Sequence, residues 1–258
     1  MIKNNLPIGI FDSGVGGLTV WKEINKLLPN ESTIYLADSL NAPYGQKSVD
    51  EIIHLSIKNT EYLLSLGVKT VVVACNTATT NAISELRNKF NIPIIGLEPA
   101  IKPAVQISKN KNIGVLATER TIMSSKFQEL LQNYPEFNFV LQPGFNLVDL
   151  IENGKLYSPE MSVLLNKYVS SLKESNVDCI VLGCTHYPFL REQIHYISND
   201  ITIIDSGEAI AKRVAQILSI NDLKSNHTNK EHYFYTNTNI EVMQSLIPQQ
   251  YIAEHKDF

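Results

Sequence analysis

Short apolar runs alternate with longer amphipathic segments along almost the whole chain. The apolar runs contain adjacent β-branched residues without polar alternation, which is typical of strands buried on both faces of a parallel sheet. The longer segments repeat their apolar residues at helical spacing. Together, the two patterns predict an α/β fold with central, mostly parallel sheets flanked by helices.

The same pattern sets approximate bounds for each element. Strands are predicted at residues 7–11, 32–38, 70–75, 92–97, 112–117, 137–142, 178–183, 201–205 and 232–237. Helices are predicted at residues 18–28, 49–66, 77–90, 121–133, 160–175 and 208–219. A polar segment, residues 221–229, precedes the last predicted strand.

The chain contains an internal repeat. The segments IPIIGLEPA and ITIIDSGEA begin 109 residues apart, and Cys75 and Cys184 have the same separation. Gly9 in GIFDS and Gly114 in GVLAT are 105 residues apart. Because these landmarks occur in one order with nearly one offset, they predict two copies of an α/β unit of about 100 residues each.

Two of the three cysteines follow the end of a predicted strand. Cys75 follows VVVA, and Cys184 follows IVLG. Ligands bind beyond the carboxyl ends of parallel strands, so both thiols are expected at a binding site. The free backbone N–H groups of the next segment favour negative charge, and we expect them to lower each thiol pKa toward neutrality.

A buried cysteine can also be simply a small apolar residue. That interpretation is the simplest one for Cys179, which lies inside the predicted strand DCIVL. The same interpretation, a small apolar residue in the core, would explain Cys75 alone or Cys184 alone. Repetition at matching strand ends favours a chemical role for this pair.

Polar residues follow other strands at the same predicted edge. Asp12 and Ser13 come after the first strand in FDSGVGG. This motif is either a tight turn whose glycines adopt positive φ, or a carboxylate that holds or polarises a neighbouring thiol. His186, two residues after Cys184, is a candidate for the same task in the second unit.

The loop NAPYGQKS at residues 41–48 contains Tyr44 and Gly45. Its proline and glycine are typical of a turn. Tyr44 and Gly45 are therefore either turn residues or donors of a hydroxyl and a backbone N–H group to a ligand carboxylate.

A dinucleotide site and a metal site are weaker interpretations. GVGGLT after the first strand, with Asp38 ending the second, resembles a dinucleotide fingerprint. However, Thr19 replaces its third glycine, and Asp12 would face the pyrophosphate. Cys184, His186 and Cys75 lack the paired-ligand spacing of a metal site, so no metal is predicted.

Composition narrows the class of protein. The chain has 258 residues, 44% of them hydrophobic, which is enough for one large or two modest cores. A net charge of −4 and a pI near 5.9 give no reason to expect nucleic acid or anionic lipid as partners. We expect a cytoplasmic protein without structural disulfides, because no signal segment or membrane span is visible and cysteines are few.

Six motifs together resemble the cofactor-independent aspartate/glutamate racemase superfamily, and within it the glutamate racemases. They are FDSGVGG, ADSLNAPYGQKS, ACNTAT, LATERTIMS, GCTHYP and IDSGEAIA, and the match extends over positions 7–215. The resemblance implies two similar α/β domains, related by a pseudo-two-fold axis, with the active site in the cleft between them. It also implies that the chain returns to the first domain, which gives domains of residues 1–97 plus 208–258 and 98–207.

The resemblance assigns roles to individual residues. It implies that Cys75 and Cys184 are catalytic thiols assisted by Asp12 and His186. Glu152, in LIENG, matches a family carboxylate near the histidine, although an exposed charge at a helix end would also explain it. The residues expected to hold the amino acid's carboxylates and ammonium are Asp12, Ser13, Tyr44, Gly45, Asn76, Thr77, Thr118, Thr121, Thr185 and His186.

The implied reaction is interconversion of L- and D-glutamate by two-base 1,1-proton transfer, which supplies D-glutamate for peptidoglycan. No cofactor is expected, because pyridoxal phosphate needs a Schiff-base lysine beside a phosphate-binding cup, and the sequence offers no such context. The expected partners are the small-molecule substrate and a second copy in a homodimer, without nucleic acid or membrane. Racemisation of aspartate or a related diacid, non-catalytic amino-acid binding, and thiol redox chemistry at Cys75 and Cys184 remain alternatives.

Overall fold

The computed structural model describes residues 3–225 and 229–258. The predicted polar segment at 221–229 therefore lies partly outside the described residues, as do the first two residues of the chain. The strands are β1 (Ile8–Asp12), β2 (Thr33–Ala37), β3 (Thr70–Val73), β4 (Ile94–Gly96), β5 (Asn112–Ala117), β6 (Asn138–Pro143), β7 (Cys179–Gly183), β8 (Thr202–Ile204), β9 (His232–Thr236) and β10 (Ala253–His255).

Helices connect most of these strands. They are α1 (Leu18–Leu27), α2 (Val49–Ser65), α3 (Asn76–Lys89), α4 (Ile101–Ile107), α5 (Glu119–Ile122), α6 (Ser125–Gln132), α7 (Leu147–Glu152), α8 (Pro159–Glu174), α9 (Arg191–Ile197), α10 (Gly207–Ile220) and α11 (Glu241–Leu246). Short 3₁₀ helices occur at Lys3–Asn5, Ser39–Asn41, Tyr44–Gln46 and Tyr187–Leu190.

The strands form two sheets whose neighbouring strands are parallel. The first sheet has the order β10-β9-β2-β1-β3-β4, and the second has the order β6-β5-β7-β8. The order β2-β1-β3-β4 is thus repeated as β6-β5-β7-β8, with β9 and β10 added at one edge of the first sheet. The prediction of two similar parallel α/β units is confirmed.

Burial explains why the central strands carry continuous apolar runs. Every residue of β1, β2, β3 and β7 is buried, and five of the six residues of β5 are buried. Helices cover both faces of such sheets, so these strands need no polar face. The edge strands β6 and β8 contain no fully buried residue.

The chain passes between the two sheets near Glu98 and again near Ser206. There the Ser206 hydroxyl donates a hydrogen bond of 2.6 Å to the Glu98 carbonyl. After the second passage α10 packs against α1, and β9 pairs with β2. This path supports the division into 1–97 plus 208–258 and 98–207, whose boundaries stay a prediction.

One predicted helix is divided in two. The segment 121–133 forms α5 and α6, with a break at Met123 and Ser124. The Ser124 hydroxyl donates to the Thr121 carbonyl at 2.8 Å and accepts from the Phe127 N–H at 3.3 Å, so it ends one helix and caps the next. The sequence reading also missed the short elements α4, α7, α9, α11 and β10.

All three cysteines are free and buried. Cys179 lies within β7 and is 1% exposed, which agrees with its assignment to the core. Within the described ranges, none of the helices has both the length and the apolar content needed to cross a membrane.

Candidate active site

The carboxyl ends of the two sheets meet across the interface between the two units. Asp12 ends β1 of the first sheet, and Thr185 follows β7 of the second. The Thr185 hydroxyl donates a hydrogen bond of 2.8 Å to Asp12 Oδ2. Nearby, the Val15 N–H donates to Glu152 Oε1 at 2.7 Å. The predicted residues of both units are thus brought together at one place.

Asp12 is a fully buried carboxylate at this interface. Besides Thr185, it accepts hydrogen bonds from the Gly14 N–H at 2.9 Å and from the Ser13 hydroxyl at 3.4 Å. Burial raises the pKa of Asp12, and the positive charge of His186 and the hydrogen bonds oppose that rise. Asp12 therefore links the first strand to the segment that carries Cys184.

Cys75 is the N-cap residue of α3. Its Sγ accepts a hydrogen bond from the Ala78 N–H at 3.4 Å, and its thiol donates to the Ser13 hydroxyl at 3.5 Å. The expected lowering of its pKa is wrong. Burial and the nearby Asp12 carboxylate outweigh these two hydrogen bonds and raise the pKa of Cys75 to about 12. The thiol therefore keeps its proton at neutral pH.

Cys184 has different neighbours. Its Sγ lies 3.7 Å from His186 Nδ1, so His186 stands beside this thiol as predicted. The other ring nitrogen, Nε2, lies 2.5 Å from Glu152 Oε1. Glu152 is therefore the partner of the histidine and is largely buried, which rules out the alternative of an exposed charge at a helix end.

The thiol and the carboxylate hold a proton on His186. Burial alone would lower the pKa of this imidazole, but its contacts with Cys184 and Glu152 more than offset burial and raise the pKa well above the usual value. A positively charged imidazolium next to Sγ stabilises negative charge on Cys184. The two cysteines thus have unlike surroundings: Cys75 is a neutral thiol, and Cys184 faces a cation.

The glycines of FDSGVGG permit close approach between the two units. A Cβ atom on Gly14 would lie 2.0 Å from Glu152 Oε1, and one on Gly16 would lie 2.3 Å from His186 Nδ1. Neither glycine is among the residues with positive φ, so the proposed need for positive φ is wrong. Their role is to leave room for the Glu152 and His186 side chains.

Three threonine hydroxyls join the two units on the other side of the site. Thr77 Oγ1, at the start of α3, lies 2.9 Å from Thr118 Oγ1 and 3.1 Å from Thr121 Oγ1. Thr118 and Thr121 are 2.9 Å apart and belong to the start of α5. This hydroxyl cluster can offer several donors and acceptors to a polar ligand.

The loop that carries Tyr44 and Gly45 lies next to this cluster. Gly45 approaches Thr118 so closely that a Cβ atom would lie 3.0 Å from the threonine Cβ. Tyr44 is fully buried, and its hydroxyl donates to Asp38 Oδ2 at 2.5 Å. Asn59 donates to the same hydroxyl at 3.1 Å. A direct contact of Tyr44 with a ligand stays a prediction.

Asn76 carries an unused donor in the site. Its side chain is 3% exposed, and within the described part of the chain its Nδ2 atom has no hydrogen-bond partner. A buried amide donor without a partner is costly, so Asn76 Nδ2 is suited to bind an acceptor atom of a ligand.

Sequence reasoning missed three supporting contacts. The Tyr35 hydroxyl donates to the Gly14 carbonyl at 2.7 Å, the Thr19 hydroxyl donates to the Thr185 carbonyl at 3.0 Å, and the Ser39 hydroxyl donates to Glu152 Oε2 at 2.7 Å. Ser39 follows the β2 strand, so its position beyond a strand end was a usable signal. For Tyr35 and Thr19 the sequence offered none.

Metal ligation has no structural basis in the described ranges, where no three His, Cys, Asp or Glu side chains form a group that could hold an ion. The arrangement suits acid–base chemistry instead. It holds two cysteine thiols, a protonated histidine and a set of hydroxyl and amide donors, most of them buried from solvent. Thiols and imidazole are effective proton donors and acceptors near neutral pH when their surroundings adjust their pKa values.

Comparison with known proteins agrees with this geometry. The family model described as Asp/Glu/Hydantoin racemase matches residues 8–214. A glutamate racemase of Ralstonia pickettii is 43% identical over 243 residues, which cover 93% of this chain and 86% of the relative.

Solved structures give the same result. A glutamate racemase of Escherichia coli, in complex with L-glutamate and the activator UDP-MurNAc-Ala, has a TM-score of 0.84 at 33% identity and covers 97% of both chains. A glutamate racemase of Francisella tularensis, in complex with D-glutamate, has a TM-score of 0.84 at 29% identity and covers 98% of this chain and 96% of that one. The chain therefore belongs to the Asp/Glu/hydantoin racemase family, among the glutamate racemases, and is an amino-acid racemase, which is an isomerase.

Proposed function

We propose that the chain interconverts L- and D-glutamate by proton transfer between Cys75 and Cys184 on opposite faces of the substrate. The observation that carries this proposal is the difference between the two thiols. A 1,1-proton transfer needs a base on one face and an acid on the other. Cys75 is a neutral thiol with a pKa of about 12, whereas Cys184 faces the protonated His186 at 3.7 Å.

In the L-to-D direction, the Cys184 thiolate removes the α-proton, and its sulfur becomes a neutral thiol. The electron pair left on Cα is delocalised into the α-carboxylate as an enediolate. Cys75 then delivers its own proton to the opposite face of Cα and becomes a thiolate. The D-to-L direction runs through the same steps in reverse order, which returns both thiols to their first states.

The α-proton of an amino acid is very weakly acidic, so charge on the enediolate must be stabilised. We assign the unpartnered Asn76 Nδ2 and the Thr77 hydroxyl to the α-carboxylate, together with the backbone N–H of Thr185, because the single Thr185 hydroxyl proton is donated to Asp12 Oδ2. Fixed donors in a site without bulk water stabilise such charge far better than water does. Asp12 accepts the Thr185 hydrogen bond and so holds Thr185 in place, and we assign its carboxylate to the substrate ammonium.

The remaining substrate contacts are part of the same proposal. Thr118, Thr121 and the backbone near Gly45 lie around the hydroxyl cluster and are assigned to the second carboxylate. Ser13, which bonds both Asp12 and Cys75, is assigned to the ammonium end. No cofactor or metal takes part in these steps.

We also propose that the product D-glutamate serves peptidoglycan synthesis in the cytoplasm, and that the enzyme is a homodimer. Support for the first point comes from the Escherichia coli relative, whose structure contains an activator built on N-acetylmuramic acid, a peptidoglycan sugar. An enzyme whose product enters the cell wall is a natural target of such a nucleotide. The racemisation reaction itself requires only glutamate and protons.

The test is chiral chromatography after incubation with L-glutamate, with L-aspartate as the matched substrate. The protein is first dialysed against a chelator and treated with hydroxylamine, which traps pyridoxal phosphate. We expect D-glutamate to form at an undiminished rate and D-aspartate to form at least about tenfold more slowly, since one methylene changes binding by roughly that factor. Faster turnover of aspartate would favour the alternative of an aspartate or related diacid racemase.

A non-catalytic binding protein or a thiol redox protein would fail this assay. In that case the α-hydrogen of glutamate would not exchange with deuterium from the solvent. Loss of activity that pyridoxal phosphate restores would contradict the cofactor-free mechanism.

A further inference from the structure

We propose that Ser39 is a positioning residue that aims the Glu152 carboxylate at His186, and so sets up Cys184 and not Cys75. This inference rests on the proposed two-thiol function. It assigns a role to a hydroxyl on the first unit that serves a proton-transfer group on the second.

The Glu152 carboxylate is held from two directions. Its Oε1 atom accepts from the Val15 N–H at 2.7 Å and lies 2.5 Å from His186 Nε2. Its Oε2 atom accepts from the Ser39 hydroxyl at 2.7 Å. A carboxylate turns easily about its terminal bond, so a donor on Oε2 fixes the plane in which Oε1 meets the imidazole.

Ser39 is itself firmly placed. It begins a 3₁₀ helix, Ser39–Asn41, directly after Asp38. The next N–H group, of Leu40, donates to Asn237 Oδ1 at 2.9 Å, and Asn237 Nδ2 donates to Asp38 Oδ1 at 2.6 Å. The hydroxyl is thus presented by a rigid segment tied to the first sheet.

The path from Ser39 ends at one thiol only. Ser39 contacts Glu152, Glu152 contacts His186, and His186 contacts Cys184. Cys75 instead bonds to Ser13 and Ala78, which do not belong to this path. Loss of the Ser39 hydroxyl should therefore weaken the base on one face of the substrate and leave the other face nearly unchanged.

Racemisation cannot separate the two faces, because both thiols act in every turnover. Elimination can, since a glutamate analogue with chlorine at Cβ needs only the base. The base takes the α-proton, the Cα–H electrons form the Cα–Cβ double bond, and chloride leaves with the Cβ–Cl electrons. The resulting enamine hydrolyses to 2-oxoglutarate and ammonium, and 2-oxoglutarate is the measured product.

The experiment compares Ser39→Ala with the wild type on the L and D enantiomers of one diastereomer of 3-chloroglutamate. The enantiomer served by Cys184 is first identified as the one that Cys75→Ser still processes. For that enantiomer we expect Ser39→Ala to lower the elimination rate about tenfold with little change in KM, and for the other less than about twofold. Ser39→Thr keeps a hydroxyl and should restore the rate. Ser48→Ala, which removes an exposed hydroxyl that caps α2, is the matched control and should match the wild type.

A second measurement does not depend on activity. Ring-nitrogen NMR should show the pKa of His186 falling in Ser39→Ala and recovering in Ser39→Thr, because a displaced Glu152 no longer holds the proton. An unchanged or higher pKa, or equal losses with both enantiomers, would contradict the positioning role. An inactive wild type would overturn the proposed function. The titration of His186 would then still test whether Ser39 positions Glu152.

Discussion

Glu152 Oε1 and His186 Nε2 lie 2.5 Å apart, with both side chains removed from solvent. Because His186 Nδ1 faces Cys184 Sγ, this pair forms a carboxylate–imidazole–thiol series on one side of the site. On the other side, Cys75 donates to the Ser13 hydroxyl, which donates to the Asp12 carboxylate, so a hydroxyl stands where the first series has an imidazole. The backbone repeat is therefore nearly symmetric, while the proton-carrying groups are not.

This relationship predicts the effect of Glu152→Gln. The carboxylate helps to raise the pKa of His186, so its loss should lower that pKa. The imidazolium is present only below its pKa, so the activity of the variant should decline at a lower pH than that of the wild type. We expect kcat at pH 8 to fall by about 10- to 100-fold, which is less than the roughly 10²- to 10⁴-fold loss for a group that transfers the proton itself, because Glu152 acts through His186.

The measurement is kcat against pH in both directions. Glu160→Gln, which changes an exposed glutamate in the first turn of α8, is the control and should retain the wild-type profile. A Glu152→Gln profile that overlays the wild type would show that the carboxylate does not act on His186.

Cys179→Ala should affect stability and not turnover. The thiol is 1% exposed within β7, and burial raises its pKa to about 12, so it is inert. Loss of one buried sulfur should lower the free energy of unfolding by about 1–2 kcal/mol, measured by urea denaturation. A folded variant with kcat reduced a hundredfold would mean that the catalytic thiols are assigned wrongly.

His232 should make the first unit less stable in mild acid. Its Nδ1 lies 2.8 Å from Thr33 Oγ1, which accepts from the Trp21 indole N–H at 2.9 Å. Burial, and then the charge of Lys230, lower the pKa of His232 to about 4. Between pH 6.5 and pH 4, His232 is therefore protonated in the unfolded chain and neutral in the folded protein. The free energy of unfolding decreases as the pH falls through this range.

For this half-buried ring, solvent screening limits the expected loss to about 1 kcal/mol between pH 7 and pH 5. In His232→Asn, the asparagine Oδ1 can replace Nδ1 as acceptor. Urea denaturation should show a smaller difference in the free energy of unfolding between pH 7 and pH 5 for this variant than for the wild type. His54→Asn, at an exposed position on α2, is the control. An equal pH difference in His232→Asn and the wild type would contradict the assignment.

Much of the fold could be predicted from the sequence, because strands that are buried on both faces of a sheet carry continuous apolar runs. β5 was predicted with its observed bounds, and the other predicted strands were within three residues at each end. The break between α5 and α6 was missed, because the Ser124 hydroxyl ends the helix locally without interrupting the apolar spacing. Elements of three to seven residues, such as β10 and α4, are too short to show a period.

The structure brings the predicted site residues together, while their roles stay a prediction and the expected lowering of the Cys75 pKa was wrong. The sequence predicted a common site for Cys75, Cys184 and His186, from their positions after strand ends and from the family resemblance. The thiol pKa of Cys75 could not be predicted, because it depends on desolvation and on Asp12, which only the folded structure places beside it. Ser39 was missed although it follows the end of β2, and its contact with Glu152 could not be predicted because the two residues are 113 apart in the sequence.

The central claim, one thiol for each face of the substrate, is tested most directly by elimination from the enantiomers of 3-chloroglutamate. Serine is nearly isosteric with cysteine but far less acidic, so Cys75→Ser and Cys184→Ser should each abolish racemisation of glutamate. We expect Cys75→Ser to release 2-oxoglutarate from the L-enantiomer alone, through Cys184. We expect Cys184→Ser to release it from the D-enantiomer alone, through the thiolate form of Cys75, at a rate that rises with pH because the pKa of Cys75 is about 12. A reversed pairing would keep the two-base chemistry and exchange the faces. If either variant processes both enantiomers at similar rates, the assignment of one thiol to each face is wrong.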